Sequence, residues 1–333
     1  MTVTGDCANR TESSSRGWGQ THTFSQSVEP AARASTPVKH PLMPILTVNH
    51  RTVYHYARQV EFGEHRLMFR PRDSHDLRLL ETGLLIRPAA SVRWLHDVFG
   101  NSIAMATFDT YADELVFEST FRAETFPVAE RAITLEPFAQ RYPFSYSADE
   151  IPDLSRTIER SYPDPEHKVD IWARSFVAGE HSLDTLEILI AMTRRIRSDF
   201  IYAARETVGT QDPVRTMEIG SGSCRDFALL MMEAARGLGF AARFVSGYLY
   251  DEKLIGAEGG LVGRGATHAW VQIYLPGAGW VEFDPTNASI GGRNLIRVAV
   301  ARDPSQAVPL TGTFTGAPGD FLGMTVDVSV TAE

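Results

Sequence analysis

Apolar and polar residues alternate from about Thr47 onward. TVYHYARQVEF (residues 52–62) is rich in β-branched and aromatic side chains, as a strand with one buried face should be. RLMFRP, LRLLETGLLIRP, SVRWLHDVFGNSIAMATF and ELVFESTFRAETF follow at short intervals, punctuated by Gly63, Pro71, Pro88, Gly100-Asn101 and Asp113. Short strands with regular turn signals predict an all-β domain over residues 47–127, either a sandwich or an open barrel.

The pattern changes on either side. Residues 1–46 are rich in Ser, Thr, Gly, Ala and Pro without a sustained period, which predicts a disordered tail unable to bury enough apolar surface to offset ordering entropy. Residues 128–180 carry Pro137, Pro143, Pro152, Pro163 and Pro165 and read as a linker with short helical turns. In HSLDTLEILIAMTRRIRSDFIY, Leu186, Leu189, Ile190, Thr193, Ile196 and Phe200 recur at helical spacing. Asp184 and Glu187 make a capping box at the start of this helix. A second helix carries Phe227, Leu230, Met231, Ala234, Ala235 and Leu238 on one face and stops near Gly237 and Gly239. ARFVSGYLY, HAWVQIYL and WVEFDPT follow as strands, the last two joined by PGAG, and complete a unit over 181–290. LIRVAVARD and MTVDVSVTA make residues 291–333 a segment of C-terminal strands. A helix block followed by strands is an α+β order.

Composition narrows the functional classes. The chain has 333 residues, 43% hydrophobic and 22% charged, with a net charge of -9. This is a globular balance, and the acidity argues against nucleic acid as a partner. No apolar run reaches the ~18 residues of a membrane span, and the first twenty residues lack a basic start followed by an apolar block. The expectation is a cytoplasmic protein with no membrane partner. The two cysteines, Cys7 and Cys224, are far apart, which disfavours a structural disulfide. There is no CxxC, HExxH or calcium-loop motif, and His50, His55, His65 and His75 lack ligand spacing. No metal and no cofactor is expected.

The chemistry concentrates around GSGSCRDF. Cys224 stands just after Gly220, Gly222 and Ser223, at the start of the second helix. A lone cysteine is ordinarily a small buried hydrophobe. At a helix N-terminus, however, unpaired N–H groups and the helix dipole favour a thiolate. A thiol nucleophile also needs a base and a group that orients the base. His268 opens one strand and Asp284 closes the next. If Leu275 faced Trp280 across the PGAG turn, His268 would oppose Asn287, with His268 and Asp284 on opposite faces. A Cys–His–Asp constellation therefore requires a bulge or another turn register.

Four ordered motifs carry a resemblance. Gly222-Ser223-Cys224, Ala242-Arg243-Phe244-Val245-Ser246-Gly247-Tyr248, His268-Ala269-Trp270 and Trp280-Val281-Glu282-Phe283-Asp284-Pro285-Thr286 resemble the core of the bacterial transglutaminase-like superfamily, which includes cysteine-protease-like members. The β-rich region, with its Asp97–Asn101 turn, is similar to the N-terminal domain often fused to that core. RVAVARD resembles the strand that usually follows it, except that Pro304 stands where the family often has an aromatic. The resemblance implies a papain-like core in which a Cys-bearing helix packs on an antiparallel sheet. It implies a triad of Cys224 as nucleophile, His268 as base and Asp284 as the carboxylate orienting His268. The activity implied is acyl transfer on a peptide or protein amide through a thioester, resolved by water or by an amine.

An oxyanion donor is also needed. The Cys224 N–H is one candidate, and Tyr202 or Gln211 supplies the other. Trp270 is expected in the core or as a cleft wall, Arg225 to be solvated or salt-bridged at the surface, and Arg243 to pair with a nearby carboxylate. Asp226 either touches the helix start or lies in solvent. A reading of a different class is a non-catalytic module that keeps the fold and holds a peptide in its cleft.

Overall fold

The computed structural model describes residues 45–126, 130–179, 183–205, 209–250 and 267–332. The predicted tail lies outside these residues apart from Ile45 and Leu46, which already belong to the first strand. That strand is β1 (Ile45–Phe62), followed by β2 (His65–Leu67), β3 (Leu77–Arg87), β4 (Ala90–His96), β5 (Ser102–Phe108) and β6 (Tyr111–Thr125). Next come β7 (Arg141–Tyr142), α1 (Ile151–Ile158), α2 (Lys168–Arg174), β8 (Leu183–Asp184) and α3 (Thr185–Asp199). Then follow β9 (Ile201–Tyr202), α4 (Pro213–Ile219), β10 (Ser221–Gly222) and α5 (Cys224–Gly237). The strands β11 (Ala242–Leu249), β12 (Thr267–Leu275), β13 (Gly279–Asp284), β14 (Ser289–Ile290) and β15 (Leu295–Ala301) build the second half. The chain closes with β16 (Leu310–Thr311), β17 (Phe314–Thr315) and β18 (Phe321–Ala332).

In the N-terminal region β1 lies between β6 and β18 in one antiparallel sheet, and β2, β5 and β4 form most of a second. Tyr56, Phe62, Leu67, Ala104, Ala106, Leu115 and Phe117 make a single apolar cluster from both sheets. This is the burial that the alternating pattern anticipates.

The second half is built around α5. Ser223 precedes it as N-cap, and every residue from Asp226 to Arg236 is buried. A helix covered on nearly all sides must be central. One side meets the sheet of order β14-β13-β12-β11-β15, where Ala269, Val271, Ile273, Leu275, Val281 and Phe283 share its cluster. Ile188, Leu189, Met192 and Ile196 of α3 cover another side. Asp184 caps α3 by accepting from the Leu186 and Glu187 N–H groups, the N-cap half of the expected capping box.

Two segment boundaries need correction. Residues 128–180 are not a spacer: Val169 and Ala173 of α2 belong to the cluster around α5, and Tyr146 and Leu154 pack with Ala241. Prolines cut this stretch into pieces too short to show a period. Nor do residues 291–333 form a separate segment. β15 is the outer strand of the core sheet beside β11, whereas β16, β17 and β18 return to the N-terminal sheets. Strand partners are chosen by apolar faces, and chain order does not reveal them.

A buried ion pair fastens the folded linker to α5. Arg236 donates from Nη1 to Glu233 Oε1 at 2.9 Å and also to the carbonyls of Thr157, Ala242 and Arg302. Glu233 accepts the N–H groups of Ser161 and Tyr162. Removing Arg236 strips the buried Glu233 of its closest cation, leaving two backbone N–H groups and Arg160 Nε at 3.6 Å, and takes the donor from three carbonyls. Arg236→Met is expected to lower unfolding free energy by about 3–5 kcal/mol, read from urea denaturation of the purified chain. A loss below about 1 kcal/mol would refute this account.

The N-terminal region docks on the sheet face opposite α5. Asn101 donates from Nδ2 to Val300 O at 2.7 Å and accepts the Val300 N–H at 2.9 Å, pairing its amide with β15 as another strand would. Trp270, Val245 and Val300 form the apolar patch beneath, covered by Phe99.

Candidate active site

The turn before α5 is built to present a side chain at its first position. β10 pairs in parallel with β9, with Gly222 beside Tyr202. A Cβ at Gly222 would come within 2.8 Å of the Asp226 side chain, so only glycine lets the chain pass there. Asp226, fully buried, accepts from the Ser223 N–H and Oγ at 2.8 Å and from the Gln211 N–H at 2.6 Å. Arg205 Nε stands 2.9 Å from its Oδ2. Of the two sequence alternatives for Asp226, the helix-start contact is the one observed. Cys224 therefore follows a rigid turn, and its N–H is among those a helix start leaves without an internal partner. The sulfur-bearing residue is 7% exposed.

His268 and Asp284 meet because the hairpin takes a different register. Leu275 faces Gly279, Tyr274 faces Trp280 and Val271 faces Phe283. Ala278 N–H donates to Leu275 O across the turn, and Gly277 and Gly279 both have positive φ, which suits glycine. A shift of one residue from the Leu275–Trp280 pairing exchanges faces. His268 and Asp284 thereby lie diagonally on the same face, and His268 Nε2 is 2.9 Å from Asp284 Oδ2. Asp284 also accepts from the Thr286 N–H at 2.9 Å and from Asn287 Nδ2 at 2.8 Å. Both side chains are fully enclosed.

With Nε2 taken by the carboxylate, Nδ1 is the ring nitrogen left over; it is buried and has no partner at regular hydrogen-bonding geometry. Cys224 stands near enough for its charge to bear on the ring, although no hydrogen bond joins the sulfur to Nδ1. Burial alone would depress the imidazole. The Asp284 charge and hydrogen bond, with Cys224 behind them, reverse this and push it up to about 10. Burial likewise opposes ionisation of Asp284, but the His268 charge and the Asn287 and Thr286 donors hold it below the usual carboxylate range.

The surrounding residues depart from expectation in places. Trp270 is not a cleft wall: it is fully buried, stacked under His268 with ring centroids 6.0 Å apart. Its Nε1 donates to Glu282 Oε2 at 2.6 Å. The strand's even-numbered side, which sets His268, also sets Trp270 beneath it. Arg225 is not a solvated surface residue. It lies 5.0 Å from the Phe244 ring and donates to Pro304 O at 3.0 Å, and its charge is felt at Cys224. Arg243 stands over Trp280 and donates to Gln272 Oε1.

The two oxyanion candidates are separated by their surroundings. Gln211 donates its amide to Thr216 Oγ1 at 3.0 Å and to Ser221 O at 3.1 Å, so both N–H groups are committed to the fold. Tyr202 is half-buried beside the Cys-bearing turn. Burial, then the neighbouring Cys224 and Asp226, raise its phenol, which keeps it a donor. Asn287 and Glu282 were not singled out in the sequence. Asn287 directly follows the FDPT motif, and Glu282 alternates with Trp280 and Asp284 on one face of β13; that alternation was the available signal.

Residues 172–285 match the model of the transglutaminase-like superfamily, and residues 46–124 match that of the bacterial transglutaminase-like N-terminal region. Residues 172–285 are a transglutaminase-like core, preceded by a bacterial transglutaminase-like N-terminal region. An uncharacterized protein of Mycobacterium tuberculosis is 28% identical to this transglutaminase-like chain over 289 residues, covering 84% of it and 91% of the relative. Another, from Mycobacterium leprae, is 31% identical over 141 residues, covering 42% and 49% of the two chains. A solved structure of a candidate cysteine protease from Cytophaga hutchinsonii superimposes with a TM-score of 0.63 at 19% identity. It covers 86% of this chain and 91% of its own. At that identity the likeness is one of fold: a transglutaminase-like core preceded by an all-β region. Among the described residues, no helix is long and apolar enough to cross a membrane.

Proposed function

We propose that this protein is a cysteine-dependent acyl-transfer enzyme acting on peptide or protein amides through a Cys224 thioester. The observation that carries the reading is the 2.9 Å His268–Asp284 contact, with Cys224 acting on the same ring. His268, raised to about 10, already holds the thiol's proton on Nδ1 while the sulfur attacks the acyl carbon. The S–C bond forms, the C–N bond breaks, and the proton passes to the departing amine. Water then releases the acid, or an acceptor amine releases a new amide; either step restores the thiol. Asp284 fixes the tautomer with the Nε2 proton towards itself, leaving Nδ1 to accept.

The decisive experiment presents a glutamine-containing peptide library with and without a primary amine donor and follows products and intact protein by mass spectrometry. An acyl adduct on Cys224, released as acid or as amide, supports the reading, and the product ratio separates hydrolysis from transamidation. Peptide binding retained by Cys224→Ala, with no adduct or turnover in the native protein, would show a binding module instead.

Tyr202 and the Cys224 N–H are the proposed oxyanion donors. Tyr202→Phe is expected to lower kcat by about 10²-fold with KM nearly unchanged. Unchanged kcat would remove Tyr202 from the mechanism.

A further inference from the structure

On the sheet face opposite α5, between the two matched regions, lies a cavity of 620 Å3 whose lining includes Arg72, Arg243, Gln272, Trp280, Glu282 and Arg297. Neither Cys224 nor His268 lines it. Its size is that of a small-molecule site, and its charges are unevenly matched. Arg297 is neutralised on both sides, 2.9 Å from Glu282 Oε1 and 3.0 Å from Asp76. Arg243 and Arg72 have no carboxylate within ion-pair distance among the described residues. Arg243 is also largely withdrawn from water. Its Nε donates to Gln272 Oε1 at 2.7 Å, and its guanidinium carbon lies 4.0 Å from the Trp280 ring centroid. Burial weakens its hold on its proton, as do the like charges of Arg297 and Arg72, bringing it down to about 10 despite Glu282. A partly buried cation among like charges is unfavourable until an anion joins it. Guanidinium groups are shaped to bind oxyanions bidentately.

We infer that this cavity is a second binding site, separate from Cys224, for a small oxyanion-bearing molecule, a carboxylate or phosphate, held between Arg243 and Arg72. The site is also linked to the imidazole through intervening side chains. Arg243 holds Gln272, whose Nε2 donates to Glu282 Oε1 at 2.7 Å; Glu282 accepts from Trp270, and Trp270 stacks on His268. An occupant engaging Arg243 therefore touches the first member of a chain that ends under the proposed base.

The experiment is isothermal titration of the full chain with succinate, inorganic phosphate and neutral succinamide, each repeated on Arg72→Gln, Arg243→Gln and Cys224→Ala. One-to-one binding of succinate or phosphate, but not succinamide, is expected. The preferred anion identifies which oxyanion chemistry the site takes. Affinity should fall at least tenfold in Arg243→Gln and several-fold in Arg72→Gln, and be unchanged in Cys224→Ala. The last variant separates this site from the thioester chemistry. If Arg243→Gln fails to fold, the exposed Arg72 decides: affinity unchanged in Arg72→Gln overturns the inference. Absence of anion binding to the native chain at 10 mM, on the order of the weakest specific affinities, also overturns it.

Discussion

Asp284→Asn is expected to slow turnover by about 10⁴-fold with little change in the overall fold. The carboxamide has one acceptor and one donor where the carboxylate has two acceptors. Asp284 now receives the Thr286 N–H, the Asn287 amide and His268 Nε2. An asparagine that keeps its oxygen on Thr286 turns an NH2 towards Nε2. The ring then accepts there and carries its proton on Nδ1, the nitrogen that must receive the thiol proton. The pH profile distinguishes this from simple damage. In the native protein the imidazolium persists up to about 10, because the Asp284 charge outweighs burial. Without that charge burial prevails, and the alkaline limb of kcat/KM should drop by several pH units. Stability changes in the same sense. The raised His268 contributes stability in full below its unfolded value near 6.5, lost as pH climbs towards about 10. The depressed Asp284 contributes stability above its ordinary 3.8, lost as pH falls through its folded value. Urea titrations across pH 6.5–10 should show a falling slope in the native chain and a nearly flat one in Asp284→Asn. A native alkaline limb near 6.5 would contradict the proposed pairing.

Cys224→Ala should abolish acyl-adduct formation and lower turnover on the order of 10⁶-fold. The side chain is small and nearly buried, so losing its sulfur should cost only about 1 kcal/mol of stability. That contrast makes the variant informative: thermal unfolding close to native, together with loss of all covalent intermediate, isolates chemistry from folding. Turnover that survives the substitution would place the reaction elsewhere on the chain. Cys224→Ser tests the same point from the other side. It keeps a hydroxyl at the helix start but offers a far weaker nucleophile, so binding should survive while turnover does not.

Much of this was legible in the residues. The α3 cap was announced by Asp184, and α5 by its apolar repeat behind Ser223. The motifs around Cys224, His268 and Asp284 implied their roles through resemblance. The hairpin register was legible only as a conflict, because which residue faces Leu275 depends on two glycines with positive φ that no periodicity reports. Trp270 stayed open between core and cleft wall because an aromatic on a strand can face either solvent or a docked neighbour. Here Phe99 covers it and Glu282 takes its indole N–H. Arg225 was misread because an arginine one position past the cysteine gives no hint of an aromatic from β11 beneath it. The short helical turns of residues 128–180 were legible from the prolines; their packing around α5 was not, because pieces that short show no period.

The pairing of β18 with β1, which runs from Leu46–Ala332 to Tyr56–Phe321, has a consequence for biosynthesis. β1 acquires this outer neighbour only from β18, a strand far along the chain from it. Until then it presents an open ladder edge to other nascent chains. A truncated product ending near residue 300 would carry that edge permanently and should self-associate even if its α/β half is folded.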